Sequence, residues 1–512
     1  MPAQRMRRAV LLALSVLLAA ALALPTPVHA LPSLTVDDSI RPGSEAAGTV
    51  LWETGTLDGW VYTMADDGVH GHELWRTNGP STELVENINL TSSGAGSSYP
   101  YGFVQLGDWL YFSADDGVHG YELWRTNGTT TNLVKDVNEN GSDGSAPNWL
   151  TRAGNFLFFA ANDGVHGEEL WRTDGTTTAL VRDINPLVSG VPDGSSPGGL
   201  VSFGGRLFFS ATDGVHGTEL WAIDGTDGTT WTTWDLNASS DGADPSSPQQ
   251  FSVLGSWLYF SADGGDGQEP WRMGADLVPQ QITNINATDG SYPFSFTLFN
   301  GSVYFGANDG STGYEVWRTD GTTSELLADI YVGGMGSYPD QLTVFNGWLY
   351  FQANDNVHGA ELWRTDGAAS SPTVELVEDL NSIESEPSSP WPLRVIGDAL
   401  WFVATTGGGT GYHLFRIGND GTRTSYAVPG TNAGIGCMCS PLKVLGGRIF
   451  TPVFSDETGG TFAYIDEPTY VLPETNRETV DWTRMLAKLA AMAAVVGVTL
   501  RAQRNPVKPW KY

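Results

Sequence analysis

The chain has 512 residues, of which 58 are acidic and 26 are lysine or arginine, giving a formal charge of −32 at pH 7. Such a surplus of carboxylates repels nucleic acid and anionic lipid, and it favours divalent cations or cationic partners. The two cysteines, Cys437 and Cys439, rule out a disulfide framework; a ring closed between them would be strained, and two thiols alone make a poor metal site.

In chain order, the first element is an address. Arg5, Arg7 and Arg8 precede an apolar run from Ala9 to Leu24 and a small-x-small exit at Val28-His29-Ala30. This is the pattern of a secretory signal peptide over residues 1–30. The run is short for a membrane span. At the other end, after a linker over 471–481, "WTRMLAKLAAMAAVVGVTL" (482–500) predicts a transmembrane or membrane-associated helix, with Arg484 and Lys488 snorkelling outward. Arg501, Arg504, Lys508 and Lys511 follow without an acid, as expected of a cytoplasmic tail over 501–512. An amphipathic helix lying on the membrane is the alternative. These two ends hold nine of the basic residues and one acid, so 31–480 carries 17 basic and 57 acidic residues, about −40.

Between the ends, one unit recurs. Tryptophans at 75, 124, 171, 221, 271, 317 and 363 are spaced 46 to 50 residues apart, and weaker copies follow at Phe415 and Tyr464. A period of this length marks a repeat architecture. The second unit reads as four extended segments, "YGFVQL", "DWLYFSA", "YELWRT" and "TNLVKDV". Gly-, Asn- and Asp-rich joints of hairpin type separate them. The second segment is apolar on both faces, so neighbours must cover both. About nine repeats of roughly 49 residues therefore predict an all-β chain, a β-propeller of eight or nine four-stranded blades over 31–470 followed by the C-terminal hydrophobic helix, with a solenoid as the alternative. "SLTVDD" (33–38) is placed to close the array by pairing with the last unit, and each tryptophan is expected where neighbouring blades meet.

"EELWRTDGTT" (168–177), "YEVWRTDGTT" (314–323) and "ELWRTDGA" (361–368) resemble the ELWxxDGT repeat family. The resemblance spans roughly residues 48–470. It implies a propeller-type architecture and an exported or cell-surface setting, and it supplies no catalytic residues. The eighth and ninth units depart from the motif.

Two repeated features have the composition of a site. The joint "DDGVHG" and its variants place Asp66, Asp67, Asp115, Asp116, Asp163 and Asp213 on the face that also carries the links between blades. Carboxylates and carbonyls gathered there would suit calcium, which takes six to eight oxygens; equally, Asp and Gly are what a hairpin needs to bond its own amides. His70, His119, His166, His216 and His358 share one repeat position. They are expected to bond their own hairpin or the nearby glutamate, because equivalent loops on a ring lie too far apart for a shared transition metal. The repeated glutamate (Glu73, Glu122, Glu169, Glu219, Glu269, Glu315, Glu361) is expected to make an inter-blade hydrogen bond or an ion pair with Arg or His. Catalysis would require a residue that breaks the repeat, and no nucleophile, HExxH or phosphate-loop motif occurs. The terminal segments and the repeat architecture lead to the expectation of a membrane-anchored extracellular module that binds glycan, surface protein or divalent cation. An exported enzyme acting on polysaccharide and a structural envelope component are the alternatives.

Overall fold

The computed structural model describes residues 35–37 and 54–466, apart from 79–80, 92–95, 187–193, 238–243, 382–385, 407–411, 427–433, 436–442, 446–447 and 456–458. The expected signal peptide and C-terminal helix lie outside the described residues. Among the described residues no helix is long and apolar enough to cross a membrane.

Alternating apolar segments and Gly/Asp joints fold into eight successive four-stranded antiparallel sheets. The second is representative, with strands Tyr101–Leu106, Trp109–Asp115, Tyr121–Thr126 and Thr131–Lys135 hydrogen-bonded in chain order. The eighth, Trp391–Ile396, Ala399–Thr405, Tyr412–Gly418 and Arg423–Tyr426, continues through Gly434–Ile435 into a ninth unit. That unit is assembled from Lys443–Leu445, Arg448–Ser455 and Gly459–Asp466. Its fourth strand comes from the opposite end of the chain: Thr35–Asp37 pairs antiparallel with Gly459–Asp466, Thr35 facing Tyr464. The pairing expected of "SLTVDD" is therefore present.

From the first sheet to the eighth, the first strand of each sheet lies against the first strand of the next. This is how blades stand around an axis in a propeller. In sheets two to eight the first strand also carries a bulge near its start, as between Tyr101 and Val104 or Asn148 and Thr151. Bulges bend a strand and re-aim its side chains; here they put Trp149, Gln250, Ser295 and Gln341 in the left-handed region.

The core lies between sheets. In the third sheet Leu157, Phe158, Phe159, Ala160 and Ala161 are all fully buried, so the second strand is covered on both faces as its composition requires. The repeated tryptophan fills the seam. Trp171 packs with Tyr111 and Leu123 of the preceding sheet, and Trp221 with Phe158 and Leu170 of the one before it.

Candidate functional site

The motif residues that look most like chemistry are occupied by the fold. The repeated glutamate points into the seam and is fully or almost fully buried in all seven copies. In the third sheet Glu169 accepts hydrogen bonds from the backbone N–H groups of Ile184 (3.1 Å), Asn185 (3.2 Å) and Ser195 (3.0 Å) and from Ser195 Oγ (2.5 Å). Glu73, Glu122, Glu219, Glu269, Glu315 and Glu361 make the same kind of clasp, each taking a serine hydroxyl from Ser98, Ser145, Ser246, Ser291, Ser337 and Ser388. The clasp holds both ends of the link to the next sheet. Burial pushes the Glu169 carboxyl above its ordinary value, and the four donors pull it partly back. This corrects the expectation of an Arg or His partner: the partners are backbone amides and a serine.

The joint aspartates hold their own loops. Asp67 Oδ1 accepts from the Val69 and His70 amides, and Asp67 Oδ2 lies 2.7 Å from His70 Nδ1. Asp116 with His119, Asp163 with His166, and Asp213 with His216 repeat the arrangement, as do Asp355 and His358. Asp66 and Asp115, one residue earlier, accept the amides of Gly68 and Gly117 at 2.7 and 2.6 Å. Burial raises the pKa of Asp116, but the hydrogen bonds from His119 and Val118 outweigh it and hold the carboxyl below its ordinary value. The same aspartate raises His119. The structure thus brings each histidine to its own hairpin, as expected. Among the described residues no three His, Cys, Asp or Glu side chains converge as metal ligands.

An arginine tie was not foreseen from the sequence. Arg125 stacks over Trp109 at 4.3 Å and donates from Nη1 to Gly175 O of the next sheet (2.7 Å). Arg172 over Phe156 reaches Asp227 O, and Arg318 reaches Ala368 O. Its signal was visible: an arginine follows the tryptophan in nearly every copy, and an aromatic opens the second segment. The accepting turn is braced by its own aspartate. Asp174 accepts from Thr176 Oγ1 and from the Thr176 and Thr177 amides, which lower its pKa to about 2.

The strand order sorts these features onto two faces. One carries the first–second and third–fourth turns, cross-tied from sheet to sheet by arginines and by bonds such as Asn155 N to Gly225 O (3.0 Å). The opposite face carries the Asp-His joints and the inter-sheet links. On it the joint valines Val69, Val118, Val165, Val215 and Val357 are each more than half exposed. Tyr99, Trp149, Tyr292 and Tyr338 are also exposed there. Three of the Asn-x-Ser/Thr asparagines on this face, Asn89, Asn237 and Asn286, are buried, and Asn89 and Asn286 donate to link carbonyls.

The repeat breaks in the fifth unit. Its joint, Asp263-Gly264-Gly265-Asp266-Gly267, is one residue shorter than the others and lacks the Asp-His pair. A cleft of about 850 Å³ opens beside it, lined by Asn237, Asp244, Ser247, Gln249, Asp263, Gln268 and Tyr292 among others.

No protein-family model and no curated protein matches the sequence. Solved structures similar to it include a prolyl endopeptidase, with a TM-score of 0.40 and 10% identity over 81% of this chain and 54% of that one. The aligned part is thus about half of the prolyl endopeptidase. Virginiamycin B lyase from Staphylococcus aureus is another, with a TM-score of 0.33 and 15% identity over 63% of this chain and 95% of that one. The sheet order defines the chain as an all-β repeat protein of the propeller type.

Proposed function

We infer that the protein is an exported, membrane-anchored binding module that meets its partner through the face of the joints and links. One observation carries this reading: an exposed valine recurs at the tip of the joint in five units, as Val69, Val118, Val165, Val215 and Val357, each more than half exposed. The repeated tryptophan, glutamate, serine, arginine, aspartate and histidine each have a structural task, whereas a valine exposed at a hairpin tip leaves apolar surface in water. The sixth unit has Ser311 there, so the hairpin does not require it. Export and anchoring are supported by the terminal segments and by the resemblance to the ELWxxDGT repeats. Calcium is the cation that the joint aspartates would recruit.

The test is retention of the purified protein on arrays of glycans and extracellular proteins, run in chelator and in millimolar Ca²⁺. Replacing all five valines with serine should abolish retention while leaving the melting temperature within about 3 °C, since exposed substitutions are nearly neutral. Retention by the five-serine variant equal to that of the parent contradicts the reading. Identical melting in chelator and calcium removes the cation from it.

A further inference from the structure

The cleft of the fifth unit gathers polar groups of the joint face where the repeat is broken. Its cause is local. Without the second aspartate and the histidine, the joint lies down on its own tryptophan: a Cβ on Gly264 would meet Trp271 Cζ2 at 2.7 Å. The floor is rigid, because Gln268 Nε2 donates to the Ser246 and Ser247 carbonyls (3.2 Å each) and its Oε1 accepts from Ser261 Oγ (2.8 Å). Asp263 Oδ1 is occupied by the amides of Gly265 (2.7 Å) and Gly267 (3.0 Å). Its second oxygen has no partner among the described residues, nor does the side chain of Gln249 at the rim. Tyr292 forms one wall, about half exposed, with its backbone fixed by a bond from its N–H to Gln268 O (3.0 Å).

This lining selects a ligand class. Asp244 and Asp263 repel anions, and among the described residues no lysine or arginine lines the cleft to offset them. A compact cation favours several converging carboxylates, and among the described residues no three acidic, His or Cys side chains converge here. A carboxylate oxygen, an amide and a serine hydroxyl together can both accept and donate, as sugar hydroxyls do. An exposed tyrosine offers a flat face for the C–H side of a pyranose ring. The volume lies within the range of small-molecule sites. We propose that this cleft binds a neutral sugar of one or two rings, stacked on Tyr292 and bonded to Asp263, Gln249 and Ser247. The proposal rests on the reading of the joint face as the binding face.

The test is calorimetric titration of the full chain with glucose, galactose, mannose, N-acetylglucosamine, maltose and cellobiose, with glucuronate as the anionic control. At least one neutral sugar should bind with a Kd below about 10 mM, and glucuronate should bind more weakly. Tyr292→Ser should weaken binding about tenfold or more. That change suits the backbone, because Ser196, Ser247 and Ser389 occupy the equivalent left-handed position in other units. Gln249→Ala, at an exposed position, should also weaken it, whereas Tyr99→Ser in the first link should not. Failure of every neutral sugar to bind, or binding unchanged in both cleft variants, overturns the proposal. If array retention persists and still depends on the valines while no sugar binds, the sugar site falls and the reading of the face stands.

Discussion

Replacing Glu169 with alanine removes one clasp and leaves its donors behind. Three backbone N–H groups, of Ile184, Asn185 and Ser195, and the Ser195 hydroxyl lose their acceptor in the seam between the third and fourth sheets. A buried donor left unpaired costs about 1–3 kcal/mol. The link can relax and water can enter the vacated space, so the total should come to about 3–5 kcal/mol rather than the full sum. Glu169→Gln keeps the shape and one accepting oxygen, and Ser195 Oγ can turn to accept from the new amide. Only the Ile184 amide is then stranded, costing about 1–2 kcal/mol. Urea unfolding followed by tryptophan fluorescence measures both, with the exposed Glu139→Ala as the neutral control. An alanine variant within about 1 kcal/mol of the parent would refute the clasp.

Three further outcomes follow from the same contacts. Trp221→Ala should destabilise by about 3–5 kcal/mol, the usual cost of a buried aromatic; a loss below about 1 kcal/mol in the same urea assay would place the adhesion between sheets elsewhere. Arg125→Ala removes a charged hydrogen bond to Gly175 O and a stack on Trp109, and should cost about 2 kcal/mol with faster amide exchange in the turn after Thr173; unchanged exchange there would count against the tie. The paired histidines His119, His166, His216 and His358 have raised folded pKa values, so their stabilisation is complete below the unfolded value and is lost as pH rises through the folded one. The buried glutamates, raised above 4.5, tilt stability the same way. Melting should therefore be higher near about pH 6 than near about pH 8.5, and a flat or inverted profile would contradict the pairing.

The fold was legible because repetition exposes the pattern of a blade. In the second unit the segments "YGFVQL" and "YELWRT" coincide with strands Tyr101–Leu106 and Tyr121–Thr126. The fourth segment was read through Val137, but its strand ends at Lys135. The reason is the clasp: the Val137 and Asn138 amides leave the sheet for Glu122. Backbone amides carry no signature in a sequence, so the partners of the glutamate could not be named. The serine could have been, since a Ser-x-Pro recurs in every link from Ser98 to Ser388. The joint aspartates were legible as hairpin residues, and their bonds to the following amides are of that kind. The cleft was not legible, because it arises from a one-residue shortening whose effect depends on Trp271 beneath it.

The most direct test of the claim that the repeated motif is an architectural clasp is a hydrogen-exchange map of the native protein. Link residues usually exchange quickly. The account predicts slow exchange at Ile88, Val137, Ile184, Ile285, Ile330 and Leu380, the first amides held by the buried glutamates, although each lies outside a strand. Exchange at these amides as fast as at the exposed joint tips Val118 and Val165 would contradict it.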